Sequence, residues 1–150
     1  MKRHDTIPGI RRQRGTSLIE VLVAVLVLAI GLLGIAALQS LTLKNTQSAS
    51  ERTAAVIQSY AILDILRANR DAALAGQYNE GYRCSAPDDA TSRINADRAL
   101  WIAQLQQSVG ASACARIACN ANDCLVGIRW NDERGTGGAT QQIIETETRL

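Results

Sequence analysis

Residues 15–38 of this 150-residue chain read GTSLIEVLVAVLVLAIGLLGIAAL. Within this stretch, Val21–Leu38 contains 18 consecutive residues without a polar side chain. At about 1.5 Å of rise per helical residue, such a run spans roughly 27 Å, close to the thickness of the hydrocarbon core of a bilayer. A helix in a water-soluble core normally carries a polar stripe, and this stretch has none. The sequence therefore predicts a membrane-inserted helix at about residues 18–40.

The positive charges of the chain are concentrated ahead of this apolar run. Residues 1–15 carry five Lys and Arg side chains and one Asp, a net charge of +4, whereas residues 16–150 carry 11 basic and 13 acidic side chains, a net charge of −2. Cytoplasmic flanks of membrane helices are enriched in Lys and Arg, so we expect a cytoplasmic N-terminus and the chain beyond about residue 40 across the membrane. A plain signal anchor and a cleaved export signal are the alternatives.

Glu20 is an acidic residue at the edge of the apolar run, directly after Leu18 and Ile19. A charge at the centre of a membrane costs about 2.5–3.5 kcal/mol on insertion scales, and less near the boundary. Two compatible explanations exist. Ser17 and Glu20 have the spacing of a capping box, in which both side chains satisfy free amides at a helix start. Alternatively, Glu20 pairs with a cation in the plane of the membrane.

Residues 39–75 favour continuation of the helix. No Pro occurs between Pro8 and Pro87, and the segment is rich in residues with high helix propensity. We therefore expect one long helix over residues 16–75, with Gly76 as its stop. Apolar residues at helical spacing predict an amphipathic face formed by Val56, Ile57, Tyr60, Ile62, Leu63, Ile65 and Leu66.

Residues 76–150 predict a small domain of mixed structure. Residues 78–92 resemble a loop in composition, and Asn95 is the expected cap of a short helix that ends near Val109. Its apolar face is formed by Trp101, Leu105 and Val109. Strands are expected at residues 113–119, 123–130 and 141–148. The predicted fold class is α+β, a long N-terminal helix followed by a small antiparallel sheet domain with a short extra helix.

Four cysteines, at positions 84, 114, 119 and 124, lie in this small domain. The expected compartment beyond the membrane is oxidising, and small cores often need disulfides. Zinc is disfavoured because there is no Cys-x-x-Cys pair and His4, the one histidine, lies in the basic segment. Three connectivities are possible. We prefer Cys119–Cys124 across a hairpin, which leaves Cys84–Cys114 by elimination.

The sequence contains no recognisable catalytic site, so we expect neither an enzyme nor a metal or cofactor. Without a histidine after residue 15, no Ser-His or Cys-His nucleophile can form. Paired carboxylates occur in Asp88–Asp89 and Asp132–Glu133, but both pairs lie in turn-like sequences and are expected to be solvated. No phosphate-binding loop is present. Aligned strands would bring Arg116, Arg129 and Arg134 into a basic patch, but the net charge of −2 argues against nucleic-acid binding.

The residues from Gly15 to Ala24, GTSLIEVLVA, resemble the class III signal sequence of type IV pilins and type II secretion pseudopilins. The resemblance implies that a prepilin peptidase cleaves between Gly15 and Thr16 and that the new N-terminus at Thr16 is methylated. It also implies that Glu20 contacts the N-terminal amine of a neighbouring subunit during assembly. The chain would then comprise a cleaved leader (residues 1–15), a long helix (16–75) and a disulfide-stapled periplasmic domain (76–150).

Other stretches are similar to minor pilins of the PilV type, also called type IV pilus modification proteins. They are Ile30–Gln39, Asp64–Arg70, Gly76–Asn79 and Gly127–Asp132. The resemblance implies a single-pass inner-membrane protein that contacts other pilins and minor pilins through its helix and joins an initiation or tip complex, with a tip adhesin as a further partner. The alternatives are a minor pseudopilin of a type II secretion system and a ligand-binding tip module for an adhesin or DNA.

Overall fold

The computed structural model describes residues 15–150, which fall into two compact units, one ending at Gln39 and one spanning Ser40–Leu150. The elements are α1 (Leu18–Ala68), α2 (Arg70–Leu74), β1 (Glu80–Arg83), α3 (Arg93–Val109), β2 (Cys114–Cys119), β3 (Asp123–Trp130) and β4 (Gln142–Arg149). The four strands form one antiparallel sheet in the order β1-β2-β3-β4. The predicted pilin-like α+β fold is confirmed.

The core of the second unit lies between α1, α3 and one face of the sheet. On α1 the buried residues Ala55, Ser59, Ile62, Leu63 and Leu66 follow the spacing of a single helical face. They pack with a cluster contributed by α3 and the sheet, which includes Trp101, Ile102, Leu105, Val109, Ile117, Val126, Ile128 and Trp130. The predicted apolar face of α3 is therefore confirmed.

The predicted amphipathic face of α1 is only partly correct. Ile62, Leu63 and Leu66 are fully buried, whereas Val56, Ile57 and Tyr60 are 39%, 60% and 54% exposed. The reason lies in the period of the helix, because residues 55, 59, 62 and 66 define the buried stripe and residues 56, 57 and 60 lie beside it. The sequence contains two adjacent apolar stripes here, and α3 and the sheet cover one of them.

The long helix ends earlier than predicted, because Asn69 interrupts it. The backbone N–H of Asn69 is shared between the carbonyl oxygens of Ile65 (3.1 Å) and Leu66 (3.2 Å), and its side-chain amide also donates to the Ile65 oxygen. Side-chain competition for a helix carbonyl is a known source of local distortion. α2 then ends where predicted, since Gly76 adopts a φ of 74° and Gln77 N–H donates to the Ala72 oxygen at 3.0 Å.

Two further boundaries differ from the sequence prediction. Helix α3 begins at Arg93, and its cap is Ser92, whose hydroxyl accepts a hydrogen bond from the N–H of Asn95 at 3.1 Å. Strand β1 was expected to be loop. Its pairing with β2 is irregular, and the neighbouring Asn79 side chain donates to the Cys119 oxygen (2.9 Å) and accepts from the Cys119 N–H (2.7 Å). This contact joins residues 40 positions apart, so local periodicity carries no sign of it.

Two disulfides close the second unit covalently. They join Cys84 to Cys114 and Cys119 to Cys124, with Cα–Cα distances of 4.1 and 4.0 Å. These are the two pairs preferred from the sequence. The first closes a loop that contains α3, and the second crosses the β2–β3 hairpin where Cys119 and Cys124 are paired in register. Cross-links of this kind stabilise a small domain by about 2–4 kcal/mol each.

The loop between β3 and β4 is attached to α1 by a buried polar contact that we call the Asp132 latch, formed by Ser48, Arg52 and Asp132. The Asp132 carboxylate is 1% exposed and accepts hydrogen bonds from the Ser48 hydroxyl and the Arg52 guanidinium, both at 2.8 Å. The sequence-based expectation that Asp132 is solvated is therefore wrong. Two weaker contacts, Arg134–Glu51 (3.2 Å) and Thr136 N–H to the Asn45 side-chain oxygen (3.1 Å), extend the attachment along α1.

The latch sets the ionisation of Asp132. Burial alone would raise the pKa of its carboxyl, but the hydrogen bonds from Arg52 and Ser48 and the charges of Arg52 and Arg134 outweigh that effect. The pKa of Asp132 therefore lies below its ordinary value. A carboxyl with a lowered pKa in the folded state contributes stability that is fully present above its unfolded pKa of about 4 and is lost as the pH falls through the lower folded value.

The disulfide pairing can be read from one tryptic digest under non-reducing conditions. Cleavage after Arg83, Arg93, Arg98, Arg116 and Arg129 places Cys84 and Cys114 on separate peptides and leaves Cys119 and Cys124 together on one. We expect peptide 84–93 linked to peptide 99–116, and peptide 117–129 alone, lighter by two hydrogens than its reduced form. The reduced digest is the control, and any link that joins peptide 117–129 to another peptide contradicts the assignment.

Replacing Asp132 by Asn should destabilise the second unit by about 1–3 kcal/mol at neutral pH, because a buried acceptor loses its charge-assisted partners. The difference in stability between the parent and the variant should shrink as the pH falls toward about 2, since Asp132 of the parent is then protonated as well. Thermal unfolding followed by near-ultraviolet circular dichroism measures both effects. Glu133→Gln, a change at the exposed neighbouring carboxylate, is the matched control. A loss of stability for Asp132→Asn that is the same at every pH would contradict the role given to the charge of Asp132.

Candidate processing and assembly site

The segment around the predicted scissile bond is exposed and lies outside regular secondary structure. Residues 15–17 precede α1, and helical hydrogen bonding begins where the N–H groups of Glu20 and Val21 donate to the Ser17 oxygen at 3.0 and 3.3 Å. A Cβ added to Gly15 would meet no heavy atom within 4 Å among the described residues. Packing within this part of the chain therefore does not require glycine at position 15, and a requirement for it would have to come from a binding partner.

The first part of α1 exposes its apolar side chains around the whole helix. Large apolar residues from Leu18 to Leu38 are between 49% and 85% exposed. The most apolar 18-residue window has a mean hydropathy of 3.1, and none of it is buried. Within residues 15–150, this is the one helix long and apolar enough to cross a membrane by length and composition. Its surface needs a cover that residues 15–150 do not provide.

Glu20 lies in the first turn of α1 and is exposed. An acidic side chain in this position interacts favourably with the free N–H groups and the positive end of the helix dipole. The backbone N–H of Glu20 donates to the backbone oxygen of Ser17, not to the Ser17 side chain. The side-chain capping box and the pairing of Glu20 with a neighbouring cation both stay predictions.

The other carboxylate pair singled out from the sequence behaves as expected for a turn. The side chain of Asp88 is fully exposed, and Asp89 accepts a hydrogen bond from the Thr91 N–H at 2.8 Å, which lowers the pKa of Asp89. Glu133 is exposed and hydrogen-bonded to Asn131, whereas its neighbour Asp132 is buried in the latch. Neither carboxylate pair forms a shared acidic site.

Two of the three arginines considered as a patch come together on the outer face of the sheet. The guanidinium carbons of Arg116 and Arg129 lie 5.5 and 4.6 Å from the centre of the Tyr82 ring. Arg134 instead pairs with Glu51 on α1. Burial raises the pKa of Tyr82, and the charge of Glu145 adds to this effect, while the two arginines oppose it. The three-arginine patch is therefore wrong, and an Arg–Tyr–Arg stack replaces it.

Gly127 is what allows this stack to lie close to the sheet. A Cβ at this position would come within 2.7 Å of the Tyr82 hydroxyl oxygen and 2.9 Å of Arg116 Cγ. Glycine inside a strand often marks such a close approach. Gly127 is therefore a sequence signal from which a close contact could have been expected, but Tyr82 could not be identified as the partner because β1 itself was not predicted.

Comparison with known protein families gives a match at the N-terminal part of the chain. The family model described as the prokaryotic N-terminal methylation motif matches residues 10–36, which is 27 of the 150 residues. The matched segment includes Gly15, Thr16 and Glu20 and the first part of the apolar helix. No curated protein and no solved structure matches the chain.

The motif, the fold and the cysteines agree with one another. A class III signal with its methylation motif is followed by an apolar helix that suits a single-pass membrane anchor, and then by a small antiparallel sheet unit with two disulfide pairs. Such a combination points to a structural subunit rather than to an enzyme. Together these findings support a type IV pilin-like or pseudopilin protein.

Proposed function

We propose that this protein is a minor pilin of the PilV type that is processed by prepilin peptidase and takes part in type IV pilus assembly, in an initiation or tip complex. The observation that carries the proposal is the methylation motif at residues 10–36, which extends into a helix whose apolar surface is uncovered over its whole circumference. A secreted protein with an ordinary signal would discard that helix. A subunit that keeps it needs the helix for membrane retention and for contacts with other subunits.

In this proposal the first step is cleavage between Gly15 and Thr16 on the cytoplasmic face of the inner membrane. The bond lies in an exposed, non-helical segment, and proteolysis requires such a segment because a peptidase must bind the backbone in an extended form. Cleavage removes the basic leader with its net charge of +4 and creates a new amino group at Thr16, four residues before Glu20. Methylation then takes place at Thr16.

The second step is assembly through α1. Glu20 carries a negative charge at the start of an apolar surface. The new N-terminal amine of an adjacent subunit is a cation that lies near the start of the same kind of surface. Charged pairs gain strength in a medium of low dielectric constant, and an unpaired acid there is costly. The pair would therefore align neighbouring helices with little axial offset, while the apolar side chains that follow pack against other helices or lipid.

The resemblance to PilV-type proteins supports a pilus rather than a secretion machine. Ile30–Gln39 lies in the exposed apolar part of α1, and the other three stretches fall on features that hold the second unit together. Asp64–Arg70 includes the interruption at Asn69, and Gly76–Asn79 includes the helix stop and the Asn79 contact with β2. Gly127–Asp132 includes the glycine and one arginine of the stack and the carboxylate of the latch. Shared sequence at positions with such defined structural roles favours a shared domain architecture. A minor pseudopilin is the second candidate, because the methylation motif is common to both classes.

Gly15→Ala should block processing, because the scissile bond is the one place where the peptidase would require glycine. We expect the variant to remain in the membrane at the mass of the full 150-residue chain, whereas the parent has lost residues 1–15. Intact-mass analysis of membrane-extracted protein measures this and also reports methylation of Thr16. Gly9→Ala, which changes another glycine of the leader, is the control and should be processed normally. Normal processing of Gly15→Ala contradicts the cleavage proposal.

Glu20→Gln separates the two explanations of the acidic residue. Glutamine can serve in a capping box but carries no charge. If charge pairing with a neighbouring amine is the function, the variant should be cleaved and stable yet show roughly tenfold or greater loss from the surface pilus fraction, the size expected for loss of a charge-assisted contact. Asp64→Asn, which removes a 72% exposed carboxylate from the other part of α1, is the control.

The same strains distinguish the two machines. In an organism with both a pilus and a type II secretion system, Glu20→Gln should reduce surface pili and leave the secretion of exoproteins unchanged. Loss of secretion with normal pili would assign the protein to the secretion machine. Normal pili and normal secretion would leave the capping box as the complete explanation of Glu20.

A further inference from the structure

Strand β4 forms an open edge of the sheet. The strand order leaves β4 with β3 as its one neighbour, and the two strands pair over eight consecutive residues without a shift in register. The opposite edge is different, because β1 has four residues and its pairing with β2 is irregular. A long, regular edge strand is a template for pairing with a further strand, so proteins usually shorten, bend or cover such an edge. Strand β4 is neither short nor bulged.

The register of the sheet shows which backbone groups of β4 face outward. The backbone N–H and C=O of Cys119 bond to the Asn79 side chain on the β1 side, so Cys119 and its partner Cys124 share no backbone hydrogen bonds. In an antiparallel ladder, hydrogen bonding alternates from one residue pair to the next and from one side of a strand to the other. The backbone of Cys124 therefore bonds to its partner Thr148 on β4.

The same alternation identifies the free groups of β4. Its even-numbered residues bond to β3, and its odd-numbered residues turn their backbone N–H and C=O groups outward. The outward set is Ile143, Glu145, Glu147 and Arg149. Among residues 15–150, none of these groups makes a backbone–backbone hydrogen bond outside the sheet. The Arg149 oxygen accepts a long bond of 3.3 Å from the Thr148 hydroxyl, and the other three residues each present a free donor and a free acceptor.

The same four residues carry the exposed side chains of β4. Glu147 lies opposite Leu125 on β3 and belongs to no ion pair of the described residues. Glu145 is only partly neutralised, since Arg116 lies 3.5 Å away and 46% of the Glu145 side chain stays exposed. The edge thus presents an acidic stretch next to Ile143, an apolar side chain that is 45% exposed.

This charge pattern disfavours pairing of β4 with β4 of a second copy. In an antiparallel pair, residues directly opposite each other lie on the same face, so exposed residues pair with exposed residues. The two longest registers that keep the faces matched place Glu145 opposite Glu145, or Glu145 opposite Glu147. Like charges directly opposite each other are destabilising. The edge therefore favours a strand of complementary charge from a different protein.

We propose that β4 binds an extended basic segment of another protein, which joins the sheet as an additional antiparallel strand. Antiparallel pairing is slightly more stable per residue than parallel pairing. The residues opposite Arg149, Glu147, Glu145 and Ile143 follow one another at every second position, so the complementary segment reads acidic-x-basic-x-basic-x-apolar. The proposal concerns the sheet edge alone and depends neither on the cleavage at Gly15 nor on the machine that the protein serves.

Amide hydrogen exchange tests the geometry of the edge before any partner is added. In the ¹⁵N-labelled full chain, held in micelles of an uncharged detergent, the amides of residues 144, 146 and 148 should exchange slowly and those of 143, 145 and 147 rapidly. The reason is that only the first set bonds to β3. Slow exchange of the second set at every protein concentration contradicts a free edge. Protection that grows with protein concentration indicates pairing between copies and overturns the choice of partner.

The peptide Glu-Thr-Lys-Thr-Lys-Thr-Val is the probe of binding, because it carries the complementary pattern. It should shift the amide signals of residues 143, 145 and 147 saturably and slow their exchange. Two N-methylated forms of equal mass and charge are the controls. Methylation of both lysine amides, which face β4, should weaken binding roughly tenfold or more. Methylation of the last two threonine amides, which face away from β4, should leave binding unchanged. Equal affinities of the two forms overturn strand addition.

A substitution at position 147 tests the charge. Glu147→Lys should weaken binding of the peptide roughly fivefold or more, since a like charge then replaces an opposite charge across the strand pair. Asp64→Lys, which reverses a 72% exposed carboxylate on α1, is the matched control and should bind like the parent. Unchanged indole N–H signals of Trp101 and Trp130 verify that each variant is folded. Parental affinity of Glu147→Lys overturns the basic character of the partner.

A substitution at position 143 tests the backbone. Ile143→Pro removes an outward-facing N–H and leaves the hydrogen bonds to β3 in place, because proline is tolerated on the open side of an edge strand. The variant should bind the peptide roughly tenfold more weakly. Ile143→Val, which keeps the N–H and an apolar side chain, is the control and should bind like the parent. Equal affinity of the two variants overturns backbone pairing at this edge.

Discussion

The apolar surface of Val21–Leu38 is the constraint on which the rest of the molecule depends. Burying one large apolar side chain is worth about 1.5–3 kcal/mol, whereas a small domain has a total stability of about 5–15 kcal/mol. A run of 18 apolar positions cannot remain in water, and residues 15–150 bury none of the most apolar window. Lipid or other subunits must cover this surface.

The folded unit that follows has little apolar material of its own, and it compensates with contacts of several kinds. The sheet and α3 bury one stripe of α1, the two disulfides close the segment from Cys84 to Cys124, and polar groups attach the loop after β3 to α1. In the Asp132 latch the carboxylate is almost completely buried, which strengthens its interaction with the Arg52 charge. Half of the Arg52 side-chain surface stays in water, so Arg52 loses less hydration on forming the contact.

Features set by local patterns were predictable from the sequence, and features set by distant contacts were not. The apolar run, the stop at Gly76, the hairpin of β2 and β3 and the apolar face of α3 all follow from composition or periodicity over a few residues. Strand β1 depends on Asn79 meeting Cys119, and the burial of Asp132 depends on Ser48 and Arg52, which lie 84 and 80 positions away. The choice between two apolar stripes on α1 likewise depends on where α3 packs.

Neither disulfide includes α1. Both covalent links lie between residues 84 and 124, so within Ser40–Leu150 the helix is held to the rest of the unit by non-covalent contacts. These are core packing, the hydrogen bond from Trp101 on α3 to Gln58, the latch and the two contacts that extend it. When a pulling force acts along α1, these non-covalent contacts bear the load, and the cross-linked segment remains closed after they rupture. Under such a force we expect the boundary of α1 to yield first, because no covalent link crosses it.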